Sequence, residues 1–340
     1  MHRILLFRYI ALFIPALFFM QANAQDPRYP AEITVSQDGS GNYKTIQEAV
    51  NSTRDLGEKE VKILVKNGVY QEKLVIPSWK SNISIVGENR EKTIITFNDY
   101  SGKINLNKDA FGNEKMSTYT SYTVLVQGNN CRLENLTIIN SSGRVGQAVA
   151  LHVEGDRFVA RNCKFLGHQD TLYAATEKSR QYYVNCIIEG TTDFIFGEAT
   201  AVFQHCEIKS LSDSYVTAAA TSKNQKFGFV FLNCKLIADQ TVNKVYLGRP
   251  WRPFAKTVFI QCDLGKHILS EGWNAWKGDK MFPDKEKTTF YAEYKSVGAG
   301  ASPDTRLNWS RQLTNQEAKD YTVKNIFSSS TDHWNPTIKN

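Results

Sequence analysis

Apolar positions along most of this chain do not follow a helical period. Short runs alternate apolar with polar residues, as half-buried strands do, and one such run returns every 20 to 32 residues. Its returns are marked by cysteines: Cys131-Arg-Leu-Glu-Asn-Leu, Asn162-Cys163-Lys-Phe, Asn185-Cys186-Ile-Ile, His205-Cys206-Glu-Ile, Asn233-Cys234-Lys-Leu and Gln261-Cys262-Asp-Leu. All six cysteines of the chain read as occupants of one position in an internal repeat. Short strands at this spacing, with few helical stretches, predict an all-β fold: a parallel β-helix whose coils of two or three strands stack at about 4.8 Å. Equivalent positions then form ladders, and the small thiols line the interior as mostly free, buried side chains. Ladder spacing also lies within disulfide range, so oxidation of a neighbouring pair stays open.

Helical spacing shows near the two ends, where an open coil needs covering. Ile46, Ala49 and Val50 follow the segment Asp38 to Thr45 at i, i+3, i+4 spacing and predict a short amphipathic capping helix. Thr314 followed by Glu317 predicts a second short helix with a capping box. The opening residues differ from everything after them. Arg3 and Arg8 lead into the apolar stretch Tyr9 to Met20, and Ala22-Asn23-Ala24 supplies an A-x-A site. This predicts a signal peptide over residues 1–24, cleaved after Ala24, and a single β-helix domain over 25–340. Such a leader is too short to span a bilayer. The expected product is exported, secreted or periplasmic, without a membrane anchor.

Composition is that of a globular protein, with 41% hydrophobic and 22% charged residues. The 41 Lys+Arg against 34 Asp+Glu suit a polyanionic partner, and no nucleic-acid partner is expected from so mild an excess. The repeat also places chemistry. Asp170 lies seven residues after Cys163 and Asp193 seven after Cys186, so both hold one phase in consecutive coils. Gln147 and Gln169 are 22 residues apart, again about one coil. Stacked carboxylates repel, which pushes one toward its protonated form and splits the pair into an acid and an ionised nucleophile or base. Arg249, in Leu247-Gly-Arg249-Pro250-Trp251, is the cation that could keep one of them charged; spacing does not say which. The glutamine amides suit an oxyanion. Phase alone also fits a polar ladder that merely satisfies turn backbones. No G-x-S-x-G elbow, Walker loop, H-E-x-x-H or C-x-x-C occurs, and His168 beside Gln169 reads as a packed turn residue.

These residues sit within Gln147-Ala-Val-Ala-Leu151, Gly167-His-Gln-Asp-Thr-Leu-Tyr173, Gly190-Thr-Thr-Asp-Phe-Ile-Phe-Gly197 and Leu247-Gly-Arg-Pro-Trp251. In that order they resemble the four signature blocks of pectin methylesterases, and Gly68-Val-Tyr-Gln-Glu72 resembles an earlier block of the same family. The resemblance spans roughly Ile33 to Phe327. It implies a right-handed parallel β-helix that hydrolyses galacturonic acid methyl esters of pectin, with no metal and no cofactor. Carried over by motif, Asp193 would be the nucleophile, Asp170 the general acid and then base, Gln147 and Gln169 the oxyanion donors, and Arg249 the partner of Asp193. Tyr173, Phe196, Trp251 and Trp273 would form a sugar platform, and Thr118 resembles a substrate-contacting threonine. Thr217-Ala-Ala-Ala-Thr221 is closer to bacterial members than to the Thr-Ala-Gln-Gly-Arg of plant ones. A monomer without an inhibitory pro-region is expected. A lyase or polygalacturonase on the same polymer would want calcium-binding acids or clustered aspartates, and the paired glutamines argue against both.

Overall fold

The computed structural model describes residues 29–105, 108, 112–328 and 331–338; the leader expected over residues 1–24 lies outside them. Three parallel sheets run the length of the molecule: sheet A with eleven strands, sheet B with eight and sheet C with seven. The chain visits them in turn. Phe158–Arg161 lies in sheet A, Lys164–Leu166 in B, Leu172–Ala174 in C, and Arg180–Val184 returns to A beside the strand where the coil began. Each coil is therefore three strands, and repetition winds the chain into a right-handed parallel β-helix.

Alternation along each short strand decides what fills the interior. In sheet C, Leu151, Val153, Leu172 and Ala174 point inward and are fully buried. On sheet A, Tyr183, Phe203, Phe231 and Phe259 occupy one register position in four successive coils. Their rings stack at centroid separations of 4.8, 4.6 and 4.3 Å. Each such contact contributes about 0.5–1.5 kcal/mol beyond simple burial.

The corner from sheet A to sheet B explains the cysteine motif. Asn162, Asn185, His205, Asn233 and Gln261 adopt left-handed conformations, with φ between 51° and 55°. Short polar side chains tolerate that region better than most. The next residue is the cysteine, turned inward, and its thiol donates to a carbonyl of the preceding coil: Cys163 to Leu133, Cys186 to Ala160, Cys206 to Tyr183, Cys234 to Phe203 and Cys262 to Phe231, at 3.3–3.6 Å. All six cysteines are free and buried.

Cys131 departs from the expected ladder. The pairing of Lys164 with Thr137 puts Leu136, not Cys131, on the rung beneath Cys163. Cys131 instead follows the left-handed Asn130 at the entry to sheet A, just ahead of the strand Arg132–Glu134. Two corners with the same left-handed grammar look alike in sequence. The thiol ladder thus has five rungs.

Helix α1 (Ile46–Ser52) forms where its spacing predicts, with Thr45 and Glu48 in a capping box and Ile46, Ala49 and Val50 buried. Glu72 accepts the Ile46 and Gln47 backbone N–H groups at 3.0 Å each, so the glutamate of the Gly68-to-Glu72 block anchors this cap. Helix α2 (Asn315–Ala318) carries the Thr314–Glu317 capping box. A further helix, α3 (Val323–Phe327), presses Val323, Ile326 and Phe327 against Tyr182, Val184 and Val202 on the outer face of sheet A.

Unfolded in denaturant without reductant, the protein should titrate six thiols by a chromogenic disulfide reagent, while the folded protein reacts far more slowly; burial pushes the Cys131 thiol up to about 12 and suppresses its thiolate. A denatured count of four or fewer would establish an oxidised pair.

Candidate active site

The corner from sheet B to sheet C does for two acids what the other corner does for cysteines. Asp170 and Asp193 both take left-handed conformations (φ 64° and 49°), and their side chains reach the outer face at the entry to sheet C. Asp170 N–H donates to Thr192 O at 3.1 Å, and Leu172 pairs with Ile195. The two aspartates are therefore successive rungs, as their phase predicts. Asp193 N–H continues the ladder to Tyr215 O at 2.9 Å.

Arg249 arrives from the strand Tyr246–Pro250, two coils further on. On the outward row Tyr173, Phe196, Ala218 and Arg249, the small Ala218 separates ring from guanidinium. The guanidinium grips Asp193 with both arms, Nε to Oδ1 at 2.9 Å and Nη2 to Oδ2 at 2.6 Å. This geometry answers the question that spacing left open: the arginine serves Asp193. Aromatic faces clasp its carbon, with the Tyr215 centroid 3.9 Å and the Trp276 centroid 3.6 Å from Cζ. Gly248 makes the strand fit, because a Cβ there would lie 2.0 Å from Thr217 Oγ1.

Gln147 pairs with Gln169 in a parallel bridge, 22 residues apart, whereas Leu151 pairs with Leu172 at 21. A one-residue bulge thus lies beside the acids, the common place for one. Among the described residues neither glutamine side-chain amide has a protein partner, and both face a cleft of about 280 Å³. Its walls include Thr118, Asp170, Asp193, Phe196, Arg249 and Trp251. Thr118 comes from a one-turn helix (Thr118–Thr120), tied down by buried Asn140, which donates to Ser121 O and Val149 O.

The aromatic expectations divide. Trp251 stands half-buried with its edge toward Phe196 and Tyr173, at 5.8 and 6.4 Å between centroids. Phe196 lines the cleft, and Tyr173 stacks flat against it at 4.5 Å, supporting the floor without lining the cleft. Trp273 does not belong to the platform. It is 1% exposed and packs inside the solenoid against Phe259 and Tyr291. Its bridge to inward-facing Gly248 sends it into the core. Three residues on, Trp276 turns through φ 52° and supplies the cleft wall instead. Tyr119, 49% exposed, is a second wall residue outside the expected set. The pair Trp273-x-x-Trp276 was the available signal, since it offers a second tryptophan within the same connection.

Electrostatics separate the two acids. Burial drives Asp170 well above the usual carboxylate range, the Asp193 charge adds to this, and Arg249 offsets part of it. Burial also raises Asp193, but hydrogen bonds and charge from Arg249 pull against it. The first proton shared by the pair therefore resides on Asp170. A protonated acid, an ionised carboxylate and two free amides converge on one small cleft. That set can attack a carbonyl, hold its oxyanion and protonate a leaving alcohol.

Residues 32–330 match the protein-family model described as Pectinesterase. A probable pectinesterase/pectinesterase inhibitor of Arabidopsis thaliana is 37% identical over 332 residues, covering 90% of this chain and 52% of that protein. The chain spans about half the length of this and the next plant relatives. Among solved structures, pectin methylesterase from carrot superposes with a TM-score of 0.76 at 33% identity, covering 86% of this chain and 92% of that one. A pectin methylesterase in complex with a hexasaccharide superposes with a TM-score of 0.75 at 30% identity, covering 90% and 98%.

The raised Asp170 sets a stability signature. A folded-state pKa above the unfolded value of about 3.9 favours folding most below that value, and the benefit drains away as pH rises toward the folded pKa. Asp170→Asn should therefore match wild type near pH 4 and become the more stable of the two as pH rises toward 7, read as a widening Tm gap in thermal melts. A gap constant across that range would mean the Asp170 proton is not linked to folding.

Proposed function

The chain belongs to the pectinesterase family, and we propose that it is an exported methylesterase of pectin, cleaving galacturonic acid methyl esters to free carboxylates and methanol. The observation that carries this reading is the Asp193–Arg249 pair with the proton-holding Asp170 on the adjacent rung. A fixed carboxylate beside a neutral acid is the requirement for attack on an ester without a metal or a serine.

Asp193 attacks the ester carbonyl carbon, and the carbonyl oxygen takes up negative charge within reach of the Gln147 and Gln169 amide N–H groups. Arg249 aims the nucleophile, because two parallel hydrogen bonds leave it a single orientation. As the C–O bond breaks, Asp170 gives its proton to the departing methanol oxygen. The resulting Asp170 carboxylate then takes a proton from water, whose oxygen attacks the galacturonyl carbonyl and releases Asp193. The alternation works because burial keeps the Asp170 pKa high enough to give and regain a proton. Trp251 and Phe196 offer apolar faces to a sugar ring, and Thr118 lines the same cleft. The leader over residues 1–24 supports export.

Incubated with highly methylated pectin, the protein should release methanol without new reducing ends or unsaturated uronates. Chain ends or unsaturation without methanol would replace this reading with a depolymerase. Asp193→Asn should lower kcat roughly 10⁴-fold or more with the fold intact by circular dichroism, and retained turnover would remove it as nucleophile. Trp251→Ala should raise KM about tenfold with a smaller change in kcat; an unchanged KM would assign this ring to structure alone.

A further inference from the structure

Beside the cleft lies a charged group that the chemistry above does not use. The Lys285 side chain is 0% exposed, and its Nζ forms an ion pair with Asp279 Oδ2 at 2.7 Å. Burying an ammonium costs several kcal/mol unless its partners are well placed, and a packing role alone would be filled at lower cost by leucine or methionine. The partners are specific. Nζ sits 4.3 Å from the Trp276 ring centroid, and the same ring lies 3.6 Å from Arg249 Cζ. Arg249 in turn holds Asp193. A continuous stack thus runs Asp279, Lys285, Trp276, Arg249, Asp193.

The loop carrying this stack is conformationally demanding. Trp276, Gly278 and Asp284 all have positive φ, at 52°, 93° and 57°. A bulky aromatic in the left-handed region stays there when its surroundings hold it. Two features do so. Trp276 N–H donates to Asn274 Oδ1 at 2.8 Å, and Asp279, besides gripping Lys285, accepts the Met281 N–H at 3.0 Å. Lys285 itself is tied to the scaffold, since Thr289 Oγ1 donates to its carbonyl at 2.9 Å just ahead of the sheet A strand Phe290–Tyr294.

We propose that Lys285 is a positioning residue for the ester-cleaving site: its buried ammonium holds Trp276 against the Arg249 guanidinium and, by its charge, helps keep Asp193 a carboxylate. This rests on the methylesterase reading. Asp193 is faced by Asp170 from the preceding rung, Arg249 from the strand Tyr246–Pro250, Tyr291 from sheet A, and Lys285 from the loop. Lys285 is faced by Asp279, Arg252 and Arg249. The two residues of this ion pair therefore act on Asp193 with opposite signs. Removing the cation makes Asp193 harder to ionise; removing Asp279 leaves the cation less compensated and makes Asp193 easier to ionise.

The test is the pH profile of kcat/KM for methanol release from highly methylated pectin, for wild type, Lys285→Met, Lys285→Arg and Asp279→Asn. Lys285→Met should move the acid limb upward by about half a pH unit or more, Lys285→Arg should return it to the wild-type position, and Asp279→Asn should move it downward. Unmoved limbs, or limbs that move the same way in Lys285→Met and Asp279→Asn, would reduce Lys285 to a loop tether and overturn the proposal. Should Lys285→Met fail to fold, the direction of the Asp279→Asn shift decides alone. A wild type that releases no methanol overturns the reading of function and this proposal with it, whereas an active wild type with unmoved limbs overturns the proposal only.

Discussion

Each coil of the solenoid advances by one parallel strand spacing, and everything at the candidate site depends on that fixed rise. Parallel pairing without slippage places a residue directly over its counterpart one coil away, whatever the length of chain between them. Coils here differ in length by several residues, yet Leu172 still meets Ile195 and Ile195 still meets Thr217. Extra residues are taken up at the corners and in loops. The site needs two carboxylates close enough to compete for a proton, and the ladder supplies that distance without any local contact between them. A slip of one residue would turn Tyr173 or Phe196 inward and their interior neighbours outward, which the packed core forbids.

That same constraint makes the site costly in isolation. Stacked acids at the edge of an apolar sheet are desolvated and repel each other, and burial raises both. Arg249 relieves one of them, and the guanidinium is itself stripped of water between Tyr215 and Trp276. The asymmetry is the useful product. With one arginine for two carboxylates, the uncompensated acid keeps its proton, so a division of roles follows from the count of charges and the position of the guanidinium. The stability sacrificed at this corner is offset along the rest of the solenoid by its aromatic stack and filled interior.

What could be read from the chain follows the same line. Residues that recur in phase were legible: the thiol ladder in five of its six proposed positions, the rungs Asp170 and Asp193, the Gln147–Gln169 pair, and the caps at Thr45 and Thr314 with their local hydrogen-bond logic. Where the reading failed, two structures share one local pattern. Cys131 follows a left-handed polar residue as the other cysteines do, but at a different corner, and alternation alone does not say which sheet a strand joins. Trp273 and Trp276 are equally aromatic and three residues apart; a bridge to Gly248 and a left-handed turn decide which enters the core, and both depend on a neighbouring coil. Lys285 was invisible for a related reason, since its partners Asp279 and Trp276 lie in an irregular loop with no periodicity to read.

A division of labour between scaffold and loop follows from these cases. The acids, the glutamines and the arginine sit on or beside strands whose positions the ladder dictates, and rigid placement of this kind is what the proposed proton transfer and oxyanion contact would require. The cleft walls come from segments the ladder does not control: Thr118 and Tyr119 from a one-turn helix, Trp276 from the long connection between the strands Asp263–Leu264 and Phe290–Tyr294. Substitutions in those segments leave the register untouched, so the walls are free to change the shape of the cleft while Asp170, Asp193 and Arg249 stay fixed. Lys285 lies where the two systems meet. Its backbone is held beside sheet A and its ammonium reaches the wall residue that covers Arg249. In the proposed reading, a charge at that junction ties the placement of the Trp276 wall to the ionisation of Asp193.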